Sequence, residues 1–70
     1  MTYEKIIKRE NGKIRIVVKL YTDPLRNTHQ YDVNVWTTIK PKRVEVFSME
    51  SATLEEIHQA KVELWNTLKP

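Results

Sequence analysis

Hydrophobic residues in the last third of the chain recur at intervals of three and four residues. Spacing of this kind places them on one face of an α-helix over residues 53–68. The residues on this face are Leu54, Ile57, Ala60, Leu64, Trp65 and Leu68. Thr53 and Glu56 have the spacing of a capping box, which predicts the start of the helix. One amphipathic helix cannot bury its own stripe, so the preceding residues must supply an apolar surface.

Two stretches of alternating character, residues 2–10 and 13–21, flank Asn11-Gly12, which contains the only glycine of the chain. Asn-Gly favours a tight hairpin because a type I′ turn needs positive φ at both central residues. Counting outward from a two-residue turn predicts the register, and opposite charges and aliphatic pairs then face each other. The predicted pairs are Glu10 with Lys13, Ile7 with Ile16, Ile6 with Val17, Glu4 with Lys19, and Tyr3 with Leu20.

The second of these strands carries aliphatic residues on one face, where we expect the helix to pack. They are Ile14, Ile16, Val18 and Leu20, and the opposite face carries Arg15, Val17, Lys19 and Tyr21. A slip of one residue would exchange the two faces, so burial should fix the register.

Residues 22–30 are predicted to form a long loop, because Asp23-Pro24 initiates turns and Asn27 tolerates a left-handed conformation. Such a loop is either a spacer between strands or a mobile binding segment, and the sequence leaves both interpretations open. β-Branched and aromatic residues then alternate over residues 31–39, which predicts a third strand.

Lys40-Pro41-Lys42 predicts a turn, because proline cannot donate a hydrogen bond to a sheet. Residues 43–49 are predicted to form a fourth strand. Val44 and Val46 would lie on the side of the helix, and Glu45, Phe47 and Met49 on the other side.

The predicted fold is α+β: an antiparallel four-stranded meander followed by one C-terminal helix on one face, in a single domain over residues 1–70. A chain of 70 residues is small, and such domains bury only about 60% of their unfolded surface. The absence of cysteine excludes disulfides and thiolate metal sites, so oligomerisation is the remaining source of extra stability. No apolar stretch predicts a membrane segment, and the composition indicates a cytoplasmic protein.

Catalytic chemistry is not predicted. The two histidines, His29 and His58, stand apart in the sequence without a pattern of metal ligands. His29 could be oriented by Asp32, but its nucleophile would have to be Ser48 or Ser51, brought close only by folding. A single glycine cannot build a phosphate-binding loop. We therefore expect a non-enzymatic protein that needs no cofactor or metal.

The side of the sheet opposite the helix is predicted to be unusually apolar. It would present Ile6 and five candidate interaction residues: Val17, Tyr21, Trp36, Phe47 and Met49. An exposed apolar patch of this kind is typical of an interaction surface. The leading interpretation is a contact with a protein partner, either a different protein or a second copy in a homodimer.

Two other interpretations of this face remain open. In one, the aromatic residues stack on bases while cations contact phosphates, which makes the domain a nucleic-acid-binding module. The cations in that case are Lys8, Arg15, Lys19 and Arg43. The formal net charge of +3 is only mildly basic, and the cations are interleaved with Glu along the chain. In the other interpretation, a loop or the twist of the sheet covers the aromatic residues, and no function follows.

The order of three strands followed by a helix resembles that of the arm-site DNA-binding domains of phage-type integrases and of plant AP2-type domains. The resemblance is limited to the order of elements, because this chain adds an N-terminal strand and carries Asp32 and Glu45 on the relevant face. No site residues carry over. The small size is also typical of phage and mobile-element accessory proteins.

Overall fold

The computed structural model describes residues 1–9 and 11–68. Four antiparallel strands form one sheet in the order β1-β2-β3-β4, and one helix follows them, which confirms the predicted ββββα fold. The elements are β1 (Thr2–Arg9), β2 (Ile14–Asp23), β3 (Thr28–Ile39), β4 (Val44–Phe47), a short 3-10 helix (Met49–Ser51) and α1 (Leu54–Leu68). None of the helices in the described ranges is both long enough and apolar enough to cross a bilayer.

The hairpin between β1 and β2 has the register that the Asn-Gly turn predicted. Tyr3 pairs with Leu20, Glu4 with Lys19, Ile6 with Val17, and Ile7 with Ile16. Asn11 and Gly12 both have positive φ, at 56° and 85°, as a type I′ turn requires. The predicted pair of Glu10 with Lys13 includes Glu10, which lies outside the described residues.

The predicted loop over residues 22–30 is wrong, because β2 and β3 continue their pairing through most of it. Thr22 pairs with His29 and Asp23 with Thr28, so that only a four-residue turn joins the strands. Asp23 holds that turn with its side chain, since Oδ1 accepts hydrogen bonds from the amides of Leu25 and Arg26 at 3.1 and 3.4 Å. The residues that pair in this part of the hairpin are polar. A search for alternating apolar residues therefore does not detect that the strands continue here.

The fourth strand is shorter than predicted. Arg43 lies in the turn after β3 with a φ of 54°, and the strand begins only at Val44. At the other end, the chain leaves the sheet after Phe47, and Met49 begins the 3-10 helix instead of extending β4. Met49 and Arg43 therefore do not belong to the sheet.

The capping box at the start of α1 is confirmed by its hydrogen bonds. The amide of Glu56 donates to Oγ1 of Thr53 at 3.1 Å, and the amide of Thr53 donates to Oε1 of Glu56 at 3.2 Å. These two bonds satisfy amides that have no partner inside the helix. Thr53 is therefore the N-cap, and Leu54 is the first residue of the helix.

The helix packs on the β1–β2 side of the sheet, and the core lies between them. Its members are aliphatic residues of the sheet together with two residues of the helix: Ile14, Ile16, Val18, Leu20, Val35, Ala60 and Leu64. Two positions assigned to the buried helix face are outside this core. Leu54 is 86% exposed and Trp65 is 40% exposed, because the buried stripe is centred on Ala60 and Leu64.

The helix does not cover the whole of the sheet face toward which it packs. Val44 was expected beneath the helix, but Val44 and its partner Ile39 are each about half exposed. They lie at the end of the β3–β4 hairpin, beyond the part of the sheet on which the helix rests. The molecule is elongated as a result, with extents of 47 × 19 × 18 Å.

Candidate functional site

The sheet has one face that the helix leaves uncovered, which we call the open face. Strand pairing puts the following residues on it: Thr2, Glu4, Ile6, Lys8, Arg15, Val17, Lys19, Tyr21, Asp23, Thr28, Gln30, Asp32, Asn34, Trp36, Thr38, Glu45 and Phe47. Of the candidate interaction residues, Val17, Tyr21, Trp36 and Phe47 therefore share this face. Met49 lies outside the strands.

Side chains of Arg15, Trp36 and Phe47, from three neighbouring strands, meet on the open face near the end of the sheet that carries the β1–β2 and β3–β4 turns. The rings of Trp36 and Phe47 pack edge to face, with centroids 5.5 Å apart and an interplanar angle of 77°. The guanidinium of Arg15 lies over the Trp36 ring, 5.6 Å from its centroid. Register explains this arrangement, since Trp36 on β3 is paired with Arg15 on one side and with Phe47 on the other.

Glu45 holds Arg15 in place on the ring. Arg15 donates from Nε to Oε1 of Glu45 at 3.1 Å and from Nη2 to Oε2 at 2.8 Å. A two-point contact of this kind fixes the guanidinium plane as well as its position. The cation that was a candidate for phosphate binding is therefore already paired within the chain.

Lys19 has a carboxylate neighbour as well. Its Nζ lies 4.0 Å from Oε2 of Glu4, the cross-strand partner predicted from the register, and Asp32 is its partner on the opposite side. Three cations on the open face thus stand among four carboxylates, Asp23 included. The face is therefore slightly negative in formal charge, although the chain as a whole is basic.

Apolar exposure on this face is uneven. Phe47 is 55% exposed, Ile6 is 49% exposed and Tyr21 is 41% exposed, whereas Val17 is only 7% exposed. Val17 lies between Ile6 and Asn34 in the register, so that its neighbours cover it. Of the candidate interaction residues, Phe47 and Tyr21 can touch a partner directly, and Val17 supports the surface from below.

A second feature, which the sequence interpretation missed, is a groove between β3 and the helix. It has a volume of about 480 Å³ and is lined by His29, Tyr31, His58, Lys61, Val62 and Trp65. His29 meets Trp65 edge to face at 5.8 Å, and Nζ of Lys61 lies 5.5 Å from the centroid of the Tyr31 ring. No sequence signal joins these residues, because the groove exists only where the helix crosses the sheet.

The structure separates His29 from the carboxylate that was considered to orient it. His29 lies on the helix side of β3 and Asp32 on the open face, so Asp32 is not in position to orient the histidine. The hydroxyls of Ser48 and Ser51 bond to each other at 2.7 Å. Within residues 1–9 and 11–68, no group of three or more His, Asp or Glu side chains is arranged to hold a metal ion.

No protein-family model matches the sequence, and neither a curated protein nor a solved structure is significantly similar to the chain. The site has therefore to be interpreted from its own geometry.

Proposed function

We propose that this chain is a small non-enzymatic interaction module that binds protein through the open face of its sheet. The observation that carries the proposal is the set of half-exposed apolar side chains along the open face, Ile6, Tyr21 and Phe47, the last of which packs against Trp36. Residues of this type, aromatic and surrounded by paired charges, are enriched at the centres of protein interfaces. A cytoplasmic location is part of the proposal and rests on the cysteine-free composition.

The partner that fits the face best is a second copy of the same chain. Three cations and four carboxylates are interspersed over it, so a two-fold related copy can set most of these charges against opposite ones. The extents of the molecule, 47 × 19 × 18 Å, allow a contact of about 800 Å² per partner, as in a standard interface, provided that most of the open face takes part. Burying the open face would also supply the stability that a short chain without cysteines lacks.

A nucleic-acid platform on the open face has less support. Arg15 is held by two hydrogen bonds to Glu45, and Lys19 is flanked by Glu4 and Asp32. Phosphates would have to displace these carboxylates or approach them, and both processes cost free energy. Of the four cations considered for this role, only Lys8 belongs to the sheet face without a described ion pair.

Light scattering over a concentration series tests the proposal. We expect a mass that rises to twice the monomer mass and remains there at both about 0.1 M and about 1 M salt, because apolar contacts are not screened. Phe47→Glu should remain monomeric, since it replaces an exposed aromatic anchor of the contact by an unpaired charge.

The matched control is Leu25→Glu, which makes the same kind of change at a side chain that is 97% exposed in the β2–β3 turn. This variant should dimerise like the unaltered chain. A protein that is monomeric at every concentration, or a dimer that Leu25→Glu disrupts as strongly as Phe47→Glu, overturns self-association through the open face.

A further inference from the structure

The positive charge of the chain collects at one end of the sheet. The β1–β2 turn and the β3–β4 turn lie at the same end, because an antiparallel meander alternates its connections between two ends. The first turn contributes Lys13, and the second contributes Lys40, Lys42 and Arg43. We call these four residues the basic end.

The two turns are held next to each other by the sheet. The amide of Thr38, near the end of β3, donates to the carbonyl of Lys13 at 2.8 Å. Neighbouring strands are about 4.8 Å apart, so the three strand spacings from β1 to β4 amount to about 14 Å across this end. The four-stranded end is thus wider than the DNA major groove, about 12 Å, which admits at most a two-stranded ribbon such as the β3–β4 hairpin.

The four cations are exposed, as Lys8 and Arg26 also are, but they are the ones that gather at one end of the sheet. The ion pairs among the described residues involve Arg9, Arg15, Lys19 and Arg26 and none of the basic end. Glu10 belongs to the first turn in sequence and lies outside the described residues, and it offsets at most one of the four charges.

The basic end accounts for the whole positive surplus of the chain. The formal net charge is +3 and the basic end carries four cations, so the remaining residues carry a net negative charge of one. A molecule with extents of 47 × 19 × 18 Å and this distribution is strongly polarised along its length. Such a field orients the molecule toward a polyanion.

We propose that the basic end binds the phosphate backbone of duplex nucleic acid, independently of base sequence. Regularly spaced phosphates attract a set of cations on a rigid frame, and counterion release supplies the free energy. Ile39 and Val44, each about half exposed, flank the second turn and are of the kind that inserts between lipid headgroups, so an anionic lipid surface is the competing polyanion in the test. The basic end is distinct from the open face, and its binding goes beyond the protein contact proposed for that face.

The test is fluorescence anisotropy with a labelled DNA duplex of mixed sequence, over about 50 to about 200 mM salt. If all four cations meet phosphates, the logarithm of the association constant should fall with the logarithm of salt concentration with a slope of about −3.6. Lys42→Gln and Arg43→Asn should each flatten this slope by about 0.9. Asn is chosen for position 43 because it tolerates the positive φ found there.

The matched control is Arg26→Gln, which removes one cation from the turn at the opposite end of the sheet, where the Arg26 side chain is 82% exposed. It should leave the slope unchanged. Equal losses from Arg26→Gln and Lys42→Gln would show diffuse attraction by net charge and overturn the proposal. Binding to phosphatidylserine vesicles without binding to the duplex would overturn it as well.

Phe47→Ser separates this proposal from the proposed function, because it alters the open face without changing the charge. If this variant keeps the duplex affinity per chain, the basic end binds by itself, whatever the outcome for self-association. If it loses the affinity while Lys42→Gln keeps it, the open face binds the duplex and the basic end does not.

Discussion

The contacts that the fold gives Arg15 change the role that its side chain can have. In sequence it is a cation on a predicted strand, on the same face as Tyr21, and was therefore a candidate for a phosphate contact. In the folded chain it lies over Trp36 and donates two hydrogen bonds to Glu45. Only 27% of its side chain is exposed. It therefore stabilises the open face and no longer offers a free charge.

A double-mutant cycle on Arg15 and Glu45 measures this contact. For Arg15→Ala, Glu45→Ala and the double variant, we expect a coupling free energy of about 0.5–1 kcal/mol from urea unfolding at low salt. In about 1 M salt the coupling should fall, because both side chains are partly exposed.

Lys19 and Glu4, at 4.0 Å, provide the comparison pair. Their cycle should give a smaller coupling, since a single long contact fixes neither side chain. An Arg15–Glu45 coupling no larger than that of Lys19–Glu4 would contradict the two-point geometry.

Among the elements, the helix shows where periodicity is informative and where it is not. Spacing and the capping box predicted its bounds and the burial of Ala60 and Leu64. They also put Leu54 and Trp65 on the buried face, although both are exposed. A helix presents an apolar arc wider than the strip that meets the sheet, so the docking angle selects the residues that become core.

Two leucines of the helix give a direct test of that selection. Leu64→Ala should lower the free energy of unfolding by about 2–5 kcal/mol, because it leaves a cavity in the core. Leu54→Ala should change it by less than about 0.5 kcal/mol, since this side chain is 86% exposed. Urea unfolding followed by circular dichroism measures both. Similar costs for the two variants would mean that the helix packs with a different face.

The two hairpins also differ in how well the sequence predicted them. The β1–β2 hairpin was predictable pair by pair, because Asn11-Gly12 fixes the turn and alternation fixes the faces. The β2–β3 hairpin was predicted with a long loop, since Thr22, His29 and Thr28 give no apolar signal. Their pairing follows from backbone hydrogen bonds that continue once the register has been set by the core.

At the scale of the whole molecule, the open face and the basic end are separate surfaces of one elongated sheet. Self-association through the open face links stability to protein concentration. The midpoint of thermal unfolding should therefore rise with concentration for the unaltered chain and for Leu25→Glu, and should stay constant for Phe47→Glu. Calorimetry at several concentrations checks this, and a midpoint independent of concentration in all three proteins would contradict a dimer.

The sequence by itself determined the order of the elements, the register of the first hairpin, the cap of the helix and the aliphatic side of the sheet. Each depends on residues that are close in the chain or related by a fixed period, so local rules suffice. The sequence also indicated that Tyr21, Trp36 and Phe47 share a face, because alternation along a strand has a period of two.

Tertiary structure decided which charges are free. The pairing of Arg15 with Glu45 and the hydrogen bond from Thr38 to Lys13 join residues far apart in the chain. Tertiary structure also decided the position of the helix, and with it the exposure of Leu54 and Val44 and the groove beside His29. These features depend on docking in three dimensions, and sequence spacing carries no information about the docking angle.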